Sequence, residues 1–174
     1  MSHAQAKDST NMFILLEKKV LLNLLKDGRT SIEESGTLRP MLFIEMSNGA
    51  GIICPLMMPD ESEEKYQMFY TLGKQIRSKL GSFQNAVTML ETWTVNAKEA
   101  PDATKYPPSQ HPCRQEAIVL IGRNADKTCS AIVIQTFTKD EHNAPVWSEP
   151  QVMISDIGEE GVVAKGLLDA LFDD

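Results

Sequence analysis

The sequence predicts an α+β fold, an antiparallel sheet of five or six strands packed with two or three helices. Three observations carry that expectation. Apolar residues recur at helical spacing in three separated segments. Three segments between residues 85 and 137 alternate with the period of two that suits a half-buried strand. No internal repeat and no second linker interrupts the chain, so residues 11–174 read as a single domain behind a mobile polar tail, 1–10.

The first helix is expected over 11–26. Phe13, Leu16, Val20 and Leu24 recur every three or four residues, and Ile14, Leu21 and Leu25 widen the stripe. A helix apolar over so much of its surface needs cover from more than one side, which suggests self-association. Gly28 is the expected stop. Lys18, Lys19, Lys26 and Arg29 read as its solvated face. Strands follow at 41–46 and 51–56 around "SNGAG", where Asn48-Gly49 suits a tight turn. Asp60 and Glu63 resemble a capping box for a helix over 61–80, with Tyr66, Phe69, Gly73, Ile76 and Leu80 on one face. Gly81 ends it.

Three alternating strands come next, in "NAVTMLETWTV", "QEAIVLIG" and "CSAIVIQTF", the last two joined by a hairpin loop, "RNADKT". "PVWSEPQVMI" is a weaker strand, because Pro150 lacks an amide donor and belongs at an edge or bulge. A closing helix is expected over 160–171, with Val163, Leu167, Ala170 and Leu171 inward. Asp169, Asp173 and Asp174 lie at its negative end and favour fraying.

Composition narrows the function classes. With 42% hydrophobic and 24% charged residues, the 174-residue chain can bury a globular core. A net charge of −7 opposes non-specific nucleic-acid binding, which needs a basic face to displace phosphate counterions. Cys54, Cys113 and Cys129 are few, odd in number and widely spaced, so a reducing cytoplasm is expected. The N-terminal residues lack the apolar stretch of a signal peptide. The longest apolar run, Met12 to Leu16, is far below the roughly 18 residues of a membrane span.

The strand around Trp93 carries the most pointed site. Met89, Glu91 and Trp93 share one face, so Glu91 needs a partner, a rim position or a proton. In one register of three antiparallel neighbours, Trp93, Glu116 and Gln135 form a cross-strand row. Arg114 and Phe137 then lie one step along and Glu91 one step back. The favoured pairing is Arg114 with a glutamate, closing the end of the sheet. Prolines 107, 108 and 112 stiffen the approach to the second alternating segment, "QEAIVLIG", and restrain Tyr106, Pro107 and His111.

"ETW" at Glu91–Trp93, followed by "PSQHPCRQEAI", resembles a family of small uncharacterised prokaryotic proteins. That family has a Glu-x-Trp strand and a Pro-Ser-x-x-Pro-x-Arg-x-Glu segment, and the likeness covers roughly residues 83–121. It implies that Glu91, Trp93, Ser109, Arg114 and Glu116 are neighbours, and no activity.

Sharper chemistry finds less support. His111, Cys113, Cys129 and His142 match no metal-ligand spacing, so neither metal nor cofactor is expected. His111 and Cys113 could approach as a nucleophile pair, but nothing marks an oxyanion hole. Glu91 with Glu116 could serve as paired carboxylates. "SNGAG" lacks the helix and lysine of a phosphate loop. Met41, Met46, Met57 and Met58, with Phe43 and Cys54, form either an adaptable binding surface or ordinary core. The expected function is a non-catalytic cytoplasmic binding or assembly module acting through protein partners or self-association, with no nucleic-acid or membrane role. The alternative is a small hydrolase-like enzyme using Glu91, His111, Arg114 and Glu116.

Overall fold

Turn chemistry sets the strand register. Strands β1 (Met41–Met46) and β2 (Gly51–Pro55) pair antiparallel. Gly49 supplies the positive φ of their turn, and Asn48 Oδ1 accepts the Ala50 amide at 3.0 Å. Strands β4 (Gln115–Asn124) and β5 (Cys129–Lys139) close where Asn124 Oδ1 accepts the Thr128 and Cys129 amides at 2.9 and 2.8 Å. Between these hairpins lies β3 (Phe83–Thr94), hydrogen-bonded to both β1 and β4.

The computed structural model describes residues 14–156 and 167–174. Among these residues the α+β expectation holds: one antiparallel sheet runs β2-β1-β3-β4-β5, with β6 (Pro145–Trp147) and β7 (Gln151–Asp156) both paired to the outer edge of β5. The expected weak strand is thus split in two, with Pro150 in the break, where its missing amide costs no ladder bond. Thr136 O accepts the Ser148 amide at 2.9 Å across that break.

Helices cover opposite faces of the sheet. Helix α1 (Lys18–Ser35) lays Leu21, Leu25 and Ile32 on Val87, Met89, Ile118, Leu120 and Val133. Helix α2 (Ser62–Leu80) and the single turn α3 (Asp169–Phe172) pack Phe69, Ile76, Ala170 and Leu171 with Leu42, Ile44, Phe83 and Ala86 on the other face. Burying each large aliphatic or aromatic side chain is worth about 1.5–3 kcal/mol.

Three expectations about helices are corrected. Helix α1 begins seven residues late and runs through Gly28 to Ser35, ending at Gly36 in the left-handed conformation. Gly28 is interior because the helix lies low on the sheet, and a β-carbon there would sit 2.8 Å from Met89 Sδ. Leu15 and Leu16 are buried in the turn before the helix, and the buried stripe of α1 is the narrow set Leu21, Leu25, Gly28 and Ile32. Val20, Leu22 and Leu24 beside that stripe are half-buried and pack on the same core. Helix α2 has Glu61 rather than Asp60 at its N-cap, with no side-chain cap hydrogen bond. The expected tail and Phe13 lie outside the described residues, as do residues 160–166 of the expected closing helix, including Val163.

Two sheet carboxylates tether α1 at its ends. Glu45, fully buried, accepts the Leu15 amide and the side-chain amides of Gln84 and Asn85. Glu91 accepts the Leu38 amide just beyond the helix, at 2.9 Å.

Helix α2 is held along one flank by the C-terminal segment. Arg77 donates from Nη1 to Leu171 O at 2.7 Å and from Nη2 to Asp173 O. Its guanidinium also lies over Phe83, which packs on Phe172. Tyr66 and Lys127 donate to the Asp173 carboxylate, and Arg123 pairs with Asp169 at 2.8 Å. These cations neutralise the end that was expected to fray. The Lys127 hydrogen bond holds the Asp173 carboxyl below its usual range; the same contact raises the Lys127 ammonium, and hydrogen bonding to Asp173 raises the Tyr66 hydroxyl.

Two outcomes follow from this flank. A β-carbon at Gly73 would fall 1.9 Å from Leu171 O, so Gly73→Ala must displace α3. Urea denaturation should show a loss of about 1–3 kcal/mol, with earlier proteolysis after residue 166. The Lys127–Asp173 contribution is complete above the ordinary Asp value, about pH 4, and is lost as pH falls through the depressed folded value. At the alkaline end it is complete below 10.5 and lost as pH rises through the raised Lys127 value. Asp173→Asn should remove about 0.2–1 kcal/mol near neutrality and nothing well below pH 3, read from denaturation at each pH.

Candidate functional site

The residues singled out in sequence gather at one end of the α1 face, but they divide into separate contacts. Trp93 lies opposite Glu116, as the expected register requires. Gln135 does not join that row: Phe137 opposes Glu116, and Gln135 opposes Ile118, in line with Glu91. The two-residue shift keeps every side chain on its face and follows from the Asn124 turn that fixes the β4–β5 pairing. Gln135, buried, donates from Nε2 to Ser148 O at 2.6 Å, and its Oε1 has no hydrogen-bond partner among the described residues.

The favoured Arg114–glutamate ion pair is also corrected. Arg114 lies over the Trp93 ring, 4.7 Å from its centroid, and donates from Nη1 to Ser109 O at 2.8 Å. Glu116 pairs instead with Lys139 at 3.3 Å. Glu91 turns to the Leu38 amide and, at 3.4 Å, the Thr37 hydroxyl, because the end of α1 presents those donors beside it. Ser109 sits in a 3-10 turn, Pro108–Gln110, with its side chain exposed.

His111 is 1% exposed and organises the loop between β3 and β4. Its Nδ1 accepts the Cys113 amide at 3.0 Å, so Nε2 carries the ring proton in the neutral tautomer and donates to Asp102 Oδ1 at 3.1 Å. Both ring nitrogens are committed, and the exposed Cys113 thiol has no base in this imidazole. The prolines and His111 therefore hold a loop in one orientation. Asp102 was not visible as a partner, since it lies in a polar stretch without periodicity. Among the described residues no group of three or more His, Cys, Asp or Glu side chains is placed to hold a metal ion. Among them, too, no helix is long and apolar enough to cross a membrane.

The methionines divide. Met46 is buried, while Met41 and Phe43 pack on the first core and Met58 and Cys54 on the second. Met57 is 93% exposed. It borders a groove of about 650 Å³ between the end of β2 and the flank of α2 opposite to Tyr66 and Arg77. Met68 and Leu72 form the apolar wall and Pro55 the strand side, with Glu63 and Glu64 also lining it. Met68 and Leu72 were missed in the sequence; their four-residue spacing was the available signal, but no local pattern says which flank of the helix is left open among the described residues.

Comparison with family models, curated proteins and solved structures found no match in any of the three.

His111→Ala should leave the Cys113 amide without its acceptor and cost about 1–3 kcal/mol in urea denaturation, with cleavage between residues 95 and 114 accelerated. His111→Asn, which keeps a short acceptor, should recover part of that loss.

Proposed function

We propose that this protein is a non-catalytic binding module that receives an apolar segment of a protein partner in the groove along α2. The single observation behind this reading is Met57, 93% exposed beside Met68 and Leu72 in a concave surface. An unbranched thioether adapts its shape to different apolar partners at little conformational cost, which suits a docking surface. Grooves of about 300–1,000 Å³ accommodate a few anchoring side chains.

The polar cluster supports the same reading from the other side. A hydrolase-like site needs a free base and converging carboxylates. Here the His111 nitrogens, Glu91 and Glu116 each have their own partner, and those partners are different. The acidic net charge favours protein over nucleic-acid partners, and the sparse cysteines suit a reducing, cytoplasmic setting.

Methyl NMR on selectively labelled methionines tests this directly. A neutral amphipathic Leu/Gln peptide should shift the Met57 and Met68 signals while leaving Met46 and Met89 unmoved. Met57→Ser with Leu72→Ser should weaken binding by about tenfold or more, as loss of two apolar anchors requires. Shifts confined to residues outside the groove, or none at all, would overturn the assignment.

A further inference from the structure

Helix α2 has two flanks, and the chain itself covers one of them with its C-terminal segment. Leu171 of the single turn α3 meets Gly73 and Arg77, and Asp173 and Asp174 beyond that turn meet Tyr66, Tyr70 and Arg77. The opposite flank carries Glu64, Met68, Thr71, Leu72 and Gln75, and among the described residues it has the groove and no covering element. From Glu64 to Gln75 the groove follows α2 for about 16 Å, enough for three turns of a helix laid beside it.

The charged residues that line this groove have one sign. Its charged lining residues are Glu63 and Glu64, and Asp60 and Glu61, both exposed, precede them in the chain. The partial positive charge of the α2 N-terminus, about half an elementary charge, is outweighed by the two carboxylates of its first turn. Lys65 donates to the Asp60 carbonyl at 3.0 Å, so its ammonium sits beside Asp60 and Glu63 and Glu64 remain the charges of the lining. Arg77 of the last turn and Lys74 one turn earlier are engaged on the far flank with the C-terminal carbonyls and Tyr70, and Lys79, exposed, lies beyond Gln75 and outside the groove lining.

Resting on the groove being a docking surface, we infer that its occupant is a basic amphipathic helix of a protein partner, with apolar anchors on Met57, Met68 and Leu72 and lysine or arginine facing Glu63 and Glu64. Three observations select that chemistry. An apolar wall at i, i+4 spacing accepts helical anchors at matching intervals. The acidic end fixes polarity, because it opposes an acidic partner and a second copy of this −7 chain alike. On the neighbouring flank a single helical turn, α3, packs closely against Gly73, so the surface of α2 admits a helical neighbour.

The test compares three designed peptides of equal length on the intact protein by isothermal titration: Leu/Lys amphipathic, Leu/Glu amphipathic, and Ser/Lys without an apolar face. The Leu/Lys peptide should bind at least about tenfold more tightly than the other two at low salt, and its lead over Leu/Glu should shrink by about threefold or more in high salt. Glu63→Lys with Glu64→Lys, both at exposed positions, should abolish or reverse the preference while the Met57 methyl shift persists. Equal binding of Leu/Lys and Leu/Glu in the groove would overturn the basic partner yet leave the docking groove standing. Binding of Ser/Lys as tight as Leu/Lys would also overturn it, since charge alone would then suffice. Absence of Met57 shifts with every amphipathic peptide would overturn the groove itself, and concentration-dependent dimerisation through Met57 would assign the surface to a second copy.

Discussion

Arg77 is the side chain on which the arrangement of α2 depends. One guanidinium spans the Leu171 and Asp173 carbonyls and rests on the Phe83 ring, linking helix, C-terminal segment and sheet in one contact. A lysine could not reproduce it, because only the planar fork donates to two acceptors while stacking on an aromatic face. Gly73 makes the close approach geometrically possible, and Arg77 makes it electrostatically favourable. With that flank filled, the remaining polar and apolar residues of α2 are left for the groove.

The opposite face of the sheet obeys a related constraint. Helix α1 has no side-chain cap at its start and no basic residue in its last turn. Its position is secured by the sheet instead, through Glu45 on the Leu15 amide and Glu91 on the Leu38 amide. A buried carboxylate tolerates burial when several donors replace its hydration, and Glu45 has three. Glu91 thus belongs to the architecture of α1, and the Arg114–Trp93 stack beside it closes the loop between β3 and β4.

Much of the sheet was legible because alternation is a local signal. Residues 41–46 and the strands around Trp93, Ile118 and Val133 declare their faces without knowledge of the fold, and Pro150 marks a break by chemistry alone. The Trp93–Glu116 pairing was one register among several that alternation allows, and the position of Gln135 depended on how Asn124 closes a hairpin. The limits of α1 were misjudged because Gly28 ends helices in isolation and permits close packing in context. The polar cluster was found as a set of neighbours but not as a set of partners, since partner choice depends on the loop amides of Leu38 and Cys113. The groove was least legible of all. Met57 and Leu72 differ in no local property from core residues; only the course of residues 167–174 decides which flank of α2 is open.

The most direct measurement is amide hydrogen exchange in Arg77→Leu. The amides of Leu171 and Asp173, which donate to Leu168 and Ala170, should approach unprotected rates while those of β4 and β5 remain protected. Full protection of Leu171 and Asp173 in that variant would contradict the account, because the C-terminal segment would then hold its flank of α2 without the guanidinium.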